Sequence, residues 1–377
     1  MSAPDWAQEL GPGLPEDLTA AVLAAAISSW VHPERLRAVL AARLESNASV
    51  DAPEVIADLA RPPRPGARPP TRAEVEAAAQ ALLGVGARLL VVGHDGYPRR
   101  LANAWPDLGA PAWLFARIPA PLPDVPTVAV VGTRRATLDG LHTARALGRF
   151  LGLRGIVVVS GMARGIDQAA HQGALDGGGP TAAVLGTGFG VDYPRRDHAV
   201  REAVAASGGL FTEYPYGTPV RAHQFLWRNR IVSGLADLVV AVEGQARSGA
   251  LQTARLAAAQ GRDVFAVPGS LNSPTSRGPL DLVRDGAQVV TAFEDILIAL
   301  DQPSVARAGL GGEPAAASGL EQPAQAVLDL LGPAPAQPDA VAAAAGLTIS
   351  ATLSVLADLE ARGLTIATAR GFVAATS

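Results

Sequence analysis

The chain has 377 residues, enough for two or three domains, and 49% of them are hydrophobic, enough to fill a sizeable core. Cysteine and lysine are both absent. That excludes disulfides, thiolate zinc sites, a cysteine nucleophile, a Walker-type phosphate lysine and a lysine Schiff base. The formal net charge is −4, so any anion site has to arise from local clustering of arginine.

No apolar run is long enough to span a bilayer. The opening residues Met1 to Trp6 lack the basic-then-apolar order of a secretory signal, so a cytoplasmic protein without membrane contact is expected. Residues 1–60 read as a small helical domain, with helices at Asp17–Ser29 and Pro33–Leu44. Residues 61–70 hold five prolines and read as a linker, because such a run continues neither a helix nor a sheet ladder. Thr71–Leu83 reads as a helix with Thr71 and Glu74 spaced as a capping box.

Residues 71–300 carry a regular α/β pattern. Short aliphatic runs at Thr127–Val131, Ile156–Ser160, Thr181–Leu185, Leu210–Thr212, Leu238–Val242, Asp263–Val267 and Gln288–Thr291 alternate with helical stretches. Leu89–Val92 adds a candidate outer strand. Six or seven strands with intervening helices predict a Rossmann-like, doubly wound, mostly parallel sheet. Residues 301–320 read as a second linker. Residues 321–377 give helices at Gln325–Leu331, Asp339–Ala345 and Ala351–Arg362, then a short hairpin, Leu364–Ala367 with Gly371–Ala374. That is a winged-helix-like pattern. Asp358 and Glu360 stand against Arg362 on its third helix, so protein contact or a structural role is expected there rather than duplex binding, which relies on phosphate contacts.

Four strand ends carry glycines beside an arginine or a hydroxyl: Gly132-Thr133-Arg134-Arg135, Ser160-Gly161-Met162-Ala163-Arg164-Gly165-Ile166-Asp167, Gly186-Thr187-Gly188 with Tyr193-Pro194-Arg195-Arg196, and Glu243 with Arg247-Ser248-Gly249. In an open α/β sheet such ends meet in one crevice, where glycine backbones and helix N-termini suit phosphate. Taken singly, each glycine is as well explained by a tight turn. Gly186-Thr-Gly188-Phe-Gly190 is half a dinucleotide fingerprint on the wrong strand. Asp167 and Asp192 suit capping, and Glu213 and Glu243 sit where general-base work is possible but not indicated. His171 and His223 read as structural, with His223 able to touch phosphate. No metal set and no nucleophile–base pair stands out, which points to binding rather than catalysis.

Phe225-Leu226-Trp227-Arg228-Asn229-Arg230-Ile231-Val232 is the most distinctive run. It has two readings: a single-strand site in which arginines meet phosphates and rings stack on bases, or an amphipathic helix with Phe, Leu and Ile inward and arginines in water.

Taken in order, these motifs resemble the DNA-processing protein A (DprA, or Smf) family. The match runs from Gly93–Arg100 to Gly286-Ala287 and includes Val131–Arg134, Ser160–Asp167, Leu185–Gly188, Thr212–Pro215, Phe225–Arg230 and Val264–Gly269. The resemblance implies a non-enzymatic, cofactor-free and metal-free protein that binds single-stranded DNA. It also implies loading of RecA recombinase during natural transformation or repair, and a homodimer through the C-terminal part of the Rossmann-like domain. The added helical (SAM- or helix-hairpin-helix-like) and winged-helix domains are common in that family. Carried over by motif, the DNA site comprises Gly132, Thr133, Arg134, Gly161, Arg164, Gly165, Arg195, Phe225, Arg228, Asn229 and Arg230, with Phe225 or Trp227 stacking and Asn229 partly structural. Leu226 departs from the family's usual proline, Ala250 and Gln252 from its Ser-Gly-Ser-Leu-Ile-Thr-Ala, and Leu280 from its asparagine. Two rivals remain: a phosphoribohydrolase-like nucleotide enzyme, from which Val267-Pro268-Gly269-Ser270 departs after one glycine, and a duplex-binding winged-helix regulator.

Overall fold

The computed structural model describes residues 6–28, 33–63, 68–106, 109–193, 197–246, 248–300, 322–331, 336–361, 364–368 and 371–374. They fall into two units, Met1–Phe293 and Glu294–Ser377.

The first unit opens with helices α1 (Trp6–Leu10), α2 (Glu16–Ile27), α3 (Pro33–Glu45), α4 (Ala52–Ala60) and α5 (Arg72–Leu83). The capping box at the start of α5 forms as the sequence predicts. The Thr71 hydroxyl accepts from the Glu74 backbone N–H, and the Glu74 carboxylate accepts from that of Thr71. This backbone bond, with Arg68 beside it, lowers the Glu74 carboxyl to about 2. Fully buried Leu10, Val22, Leu23, Ile56 and Leu59 of these helices belong to the same apolar core as Leu82 of α5 and Leu89 of the sheet. Trp105 adds a polar tie, its indole N–H donating to the Val50 carbonyl at 3.1 Å.

The sheet has nine strands: β1 (Arg88–Val91), β2 (Trp113–Arg117), β3 (Thr127–Val131), β4 (Val157–Ser160), β5 (Thr181–Val184), β6 (Gly209–Thr212), β7 (Leu238–Ala241), β8 (Asp263–Ala266) and β9 (Gln288–Val289). Helix α6 (Arg99–Ala102) lies between β1 and β2. Helices α7 (Leu138–Gly152), α8 (Ile166–Asp176), α9 (His198–Ser207), α10 (Ala222–Gly234), α11 (Gly249–Ala259) and α12 (Arg277–Arg284) connect the later strands. Strand order is β1-β2-β6-β5-β4-β3-β7-β8-β9. All neighbours from β6 to β9 are parallel, whereas β1 and β2 are antiparallel additions at one edge. The central strands β3, β4, β5 and β7 are buried along their whole length, as a parallel sheet covered on both faces requires.

Two findings differ from expectation. Strand β2 had no counterpart in the sequence reading; its Trp-Leu-Phe-Ala run has neither alternation nor β-branched residues to distinguish it from a short buried helix. The Phe225–Val232 run lies within α10. The amphipathic-helix reading holds for Ile231 and Val232, which are buried, but Arg228 and Arg230 are buried too, while Leu226 is 46% exposed.

The second unit contains α13 (Glu294–Ala299), α14 (Gln322–Asp329), α15 (Pro338–Ala345), α16 (Ile349–Ala361) and the hairpin β10 (Thr365–Thr368) with β11 (Gly371–Ala374). Gly346, in the left-handed conformation, ends α15 and turns the chain into α16. Val327, Leu331, Val341, Leu356 and Leu359 form its core. An isolated antiparallel backbone bridge from Ala336 to Phe372 ties the segment before α15 to the two-stranded wing. This is the expected winged-helix layout. No helix among the described residues is long and apolar enough to cross a membrane.

Candidate anion-binding cleft at the switch point

The strand order reverses at β3: the chain runs outward through β4, β5 and β6, then returns to lay β7 on the other side of β3. Connections of one hand on either side of this point diverge and leave a crevice at the strand carboxyl ends. A cleft of about 730 Å³ lies there, lined by the turns after β3, β4 and β7 and by one face of α10.

Its walls are built from backbone. After β4, Met162 adopts φ 58°, a conformation rare outside glycine, and Gly165 has φ 91°. A β-carbon at Gly165 would lie 2.3 Å from the Thr133 carbonyl oxygen, so this glycine lets the β4 turn close onto the β3 turn. The Asp167 carboxylate braces that turn, accepting from the backbone N–H groups of Gly161 at 3.2 Å and Ala163 at 3.3 Å. Burial raises the Asp167 carboxyl above its ordinary range, while the Arg228 charge and the Ala163 N–H oppose the rise.

Two helix N-termini at the cleft therefore hold anions of the protein's own. Asp167 sits in the first turn of α8. The Glu243 carboxylate accepts from the Thr137 backbone N–H at 2.9 Å and from the Thr137 hydroxyl at 2.6 Å, at the N-cap of α7. Both carboxylates occupy ground that a phosphate would otherwise favour. Helix α11 differs. Its N-cap Ser248 makes no side-chain cap, the buried Ser248 hydroxyl oxygen has no partner among the described residues, and Ser248, Gly249 and Ala250 line the cleft.

Arg134 is exposed at the mouth, its guanidinium 4.9 Å from the centre of the Phe225 ring and 3.5 Å from the Tyr193 hydroxyl. The Tyr193 and Phe225 rings stand 5.1 Å apart at 51°. Arg135 is exposed beside it. Neither arginine has a carboxylate partner among the described residues, so their charge is available to a ligand.

Arg228 also lines the cleft, but from below. It is 4% exposed, and its guanidinium donates to the carbonyls of Gly161 and Val184, the ends of β4 and β5. Burial lowers its pKa to about 10, against the opposing influence of Asp167. Gly161 permits this approach, since a β-carbon there would overlap the guanidinium. Asn229 donates its amide to the Gly249 carbonyl at 3.1 Å and so fixes the start of α11.

Of the expected site residues, the structure brings Gly132, Thr133, Arg134, Gly161, Phe225, Arg228 and Asn229 to the cleft. Gly165 supports it from behind, and Arg164 is exposed on the same turn but outside the lining. Arg195 lies outside the described residues. Arg230 requires a correction. On the opposite side of α10, its side chain is 4% exposed and forms a buried ion pair with Glu213 at 2.6 Å, so it offers no charge to the cleft. Phe225 is placed as expected, but the residue is only 9% exposed and its ring packs against Gly186, Tyr193 and Arg134. It carries Arg134 rather than presenting an open face. Sequence reasoning did not single out Gln245 and Thr275. The loop after β8 brings Thr275 in by folding back, with the Gly244 N–H donating to the Thr275 carbonyl at 2.6 Å, a contact no local pattern announces.

His171 is fully buried on α8, with Nδ1 2.7 Å from the Thr181 hydroxyl, which itself donates to the Val158 carbonyl. Nδ1 is thus the donor. Burial lowers the imidazole to about 3, so it is neutral and structural. His223 is exposed.

An open α/β sheet with a switch-point cleft lined by arginine, joined in one chain to a winged-helix unit, defines the architectural class of this protein. The model of the DNA recombination-mediator protein A family matches residues 88–301, and that of the DprA winged helix domain matches residues 312–365. A putative DNA processing protein DprA of Mycobacterium tuberculosis is 40% identical over 315 residues, covering 78% of this chain and 79% of that protein. The DNA processing protein DprA of Streptococcus pneumoniae is 40% identical over 205 residues, covering 54% of this chain and 71% of its own length. Its X-ray structure superposes with a TM-score of 0.59 at 31% identity, over 74% of this chain and 97% of that one. A Helicobacter pylori DNA processing protein A, solved to describe its single-stranded DNA binding mode, gives a TM-score of 0.50 at 29% identity, over 57% and 95%. This chain belongs to the DNA recombination-mediator protein A family.

Proposed function

We propose that the cleft holds single-stranded DNA and that the chain delivers that strand to a RecA-type recombinase in the cytoplasm, as a homodimer contacting through the C-terminal part of the Rossmann-like domain, in transformation or repair. The observation that carries the DNA-binding step is Arg134. It is an exposed guanidinium at the mouth of a cleft in which the N-termini of α7 and α8 already hold internal carboxylates. Phosphate then falls to Arg134, Arg135 and the open start of α11, on a protein of net charge −4 that has no general attraction for polyanions. The single-stranded DNA described for the H. pylori relative supports the same ligand. Such contacts read charge rather than base edges, so sequence preference is slight.

Both Glu243 oxygens are engaged by Thr137, and Asp167 is committed to the β4 turn, which favours binding over nucleotide chemistry. Exposed Ile349 and Leu353, four residues apart on α16, give that helix an apolar strip, which favours protein contact over duplex binding.

Binding of the full chain to oligo-dT and to a matched duplex across a salt series tests the reading. The single strand is expected to bind more tightly. Arg134→Ala should weaken it and flatten the log–log salt slope by about 0.7, one phosphate contact, with stability changed by no more than about 0.5 kcal/mol. An unchanged slope removes Arg134 from phosphate contact, and turnover of a free nucleotide without strand binding refutes the proposal.

A further inference from the structure

Helix α10 has two working faces. At 100° per residue, Phe225, Arg228, Asn229 and Val232 point to the cleft, while His223, Trp227 and Arg230 point the other way. On that second face lies a hollow of about 280 Å³, bounded by Arg37 of α3, by His223, Leu226, Trp227 and Arg230 of α10, and by Gln252 and Leu256 of α11. The Arg37 guanidinium stands 4.4 Å from the centre of the Trp227 ring. Arg37 is exposed and forms no ion pair among the described residues.

Leu226 lines both hollows and is 46% exposed, so it forms an apolar saddle between them. Among the described residues no carboxylate lines the second hollow, which suits a polyanion crossing the saddle. The cleft offers phosphate contacts but no open ring, because Phe225 is covered. The second hollow offers the complement: a half-buried indole, a planar guanidinium stacked on it, and the exposed imidazole of His223. Bases of a single strand stack on such surfaces, and an arginine plane continues the stack.

We propose that the Arg37–Trp227 hollow is a second nucleic-acid subsite: a strand held in the cleft crosses Leu226 and stacks a base against the Arg37–Trp227 pair. The N-terminal helices thereby take part in strand binding, and the site as a whole exceeds the cleft by the width of one helix, about 10 Å. This inference rests on the single-strand reading of the cleft.

The test compares two oligo-dT probes on the full-length protein: a short strand confined to the cleft, about 6 nucleotides, and one of about 20 nucleotides. Arg37→Ala and Trp227→Ala are each expected to weaken the long strand at least about fivefold and to leave the short strand unchanged. Arg134→Ala weakens both. Arg37 is exposed, so its variant keeps the test valid if Trp227→Ala perturbs folding. Unchanged long-strand affinity in Arg37→Ala, with Arg134→Ala still weakening both probes, overturns the subsite and leaves the cleft standing. Failure of the unaltered protein to bind either probe overturns the cleft reading and the subsite together.

Discussion

Replacing Arg228 with alanine separates the cleft's foundations from its working surface. The guanidinium donates to two buried carbonyls, at Gly161 and Val184, and its charge offsets the buried Asp167 carboxylate. A buried acceptor left without its donor costs about 1–3 kcal/mol. Stripping a buried charge of its partner costs about 3–5 kcal/mol. These contributions overlap, because one guanidinium supplies all of them, so the expected loss is about 3–5 kcal/mol in total. Urea unfolding should show it as a lower midpoint at an unchanged slope. The loss should also depend on pH. The Asp167 carboxyl is already raised by burial, and removing Arg228 pushes it further up. A carboxyl whose folded pKa lies above its unfolded value keeps full stability below the unfolded value and loses it as pH climbs through the folded one. Arg228→Ala is therefore expected to cost more at a pH well above the ordinary carboxyl range than at one below it. A loss under about 1 kcal/mol, or the same loss at both pH values, would show that this guanidinium does not hold the cleft floor.

Other perturbations probe the same scaffold. Gly165→Ala places a β-carbon 2.3 Å from the Thr133 carbonyl at φ 91°, so it should destabilise by about 2 kcal/mol or more; a neutral thermal melt contradicts the close approach. Glu213→Ala strands Arg230, 4% exposed, and should cost about 3–5 kcal/mol. The double variant Glu213→Leu with Arg230→Met should recover most of that, and a double variant as unstable as the single one argues against the pair. His171 is held neutral with a pKa of about 3, below its ordinary 6.5. The unfolded chain binds the extra proton between these values, so stability falls with falling pH there, by up to about 1.4 kcal/mol per unit from this residue. His171→Gln should flatten that limb, and parallel pH profiles for the two proteins would sink the assignment.

The sequence alone determined the pattern of the central sheet and most of the turns that meet at its switch point. The short apolar runs at Thr127–Val131 and Thr181–Val184, recurring between helical stretches and closed by glycine turns, read as buried strands, and Thr71 with Glu74 reads as a helix cap, because these signals are local. The ordered motifs likewise pointed to the family that the comparisons show. What each arginine does was decided by tertiary structure. Arg134, Arg228 and Arg230 read alike as charges near glycines. Folding leaves Arg134 in water, lays Arg228 under the cleft floor against two strand ends, and turns Arg230 to the far side of α10 onto Glu213. Two residues along a helix is about 200° of rotation, so the Arg-Asn-Arg run splits between two faces whose partners come from remote strands. Strand β2 was hidden because its Trp-Leu-Phe-Ala run holds no β-branched residue to set it apart from a helical segment, and the Arg37–Trp227 contact because it joins residues nearly 200 apart.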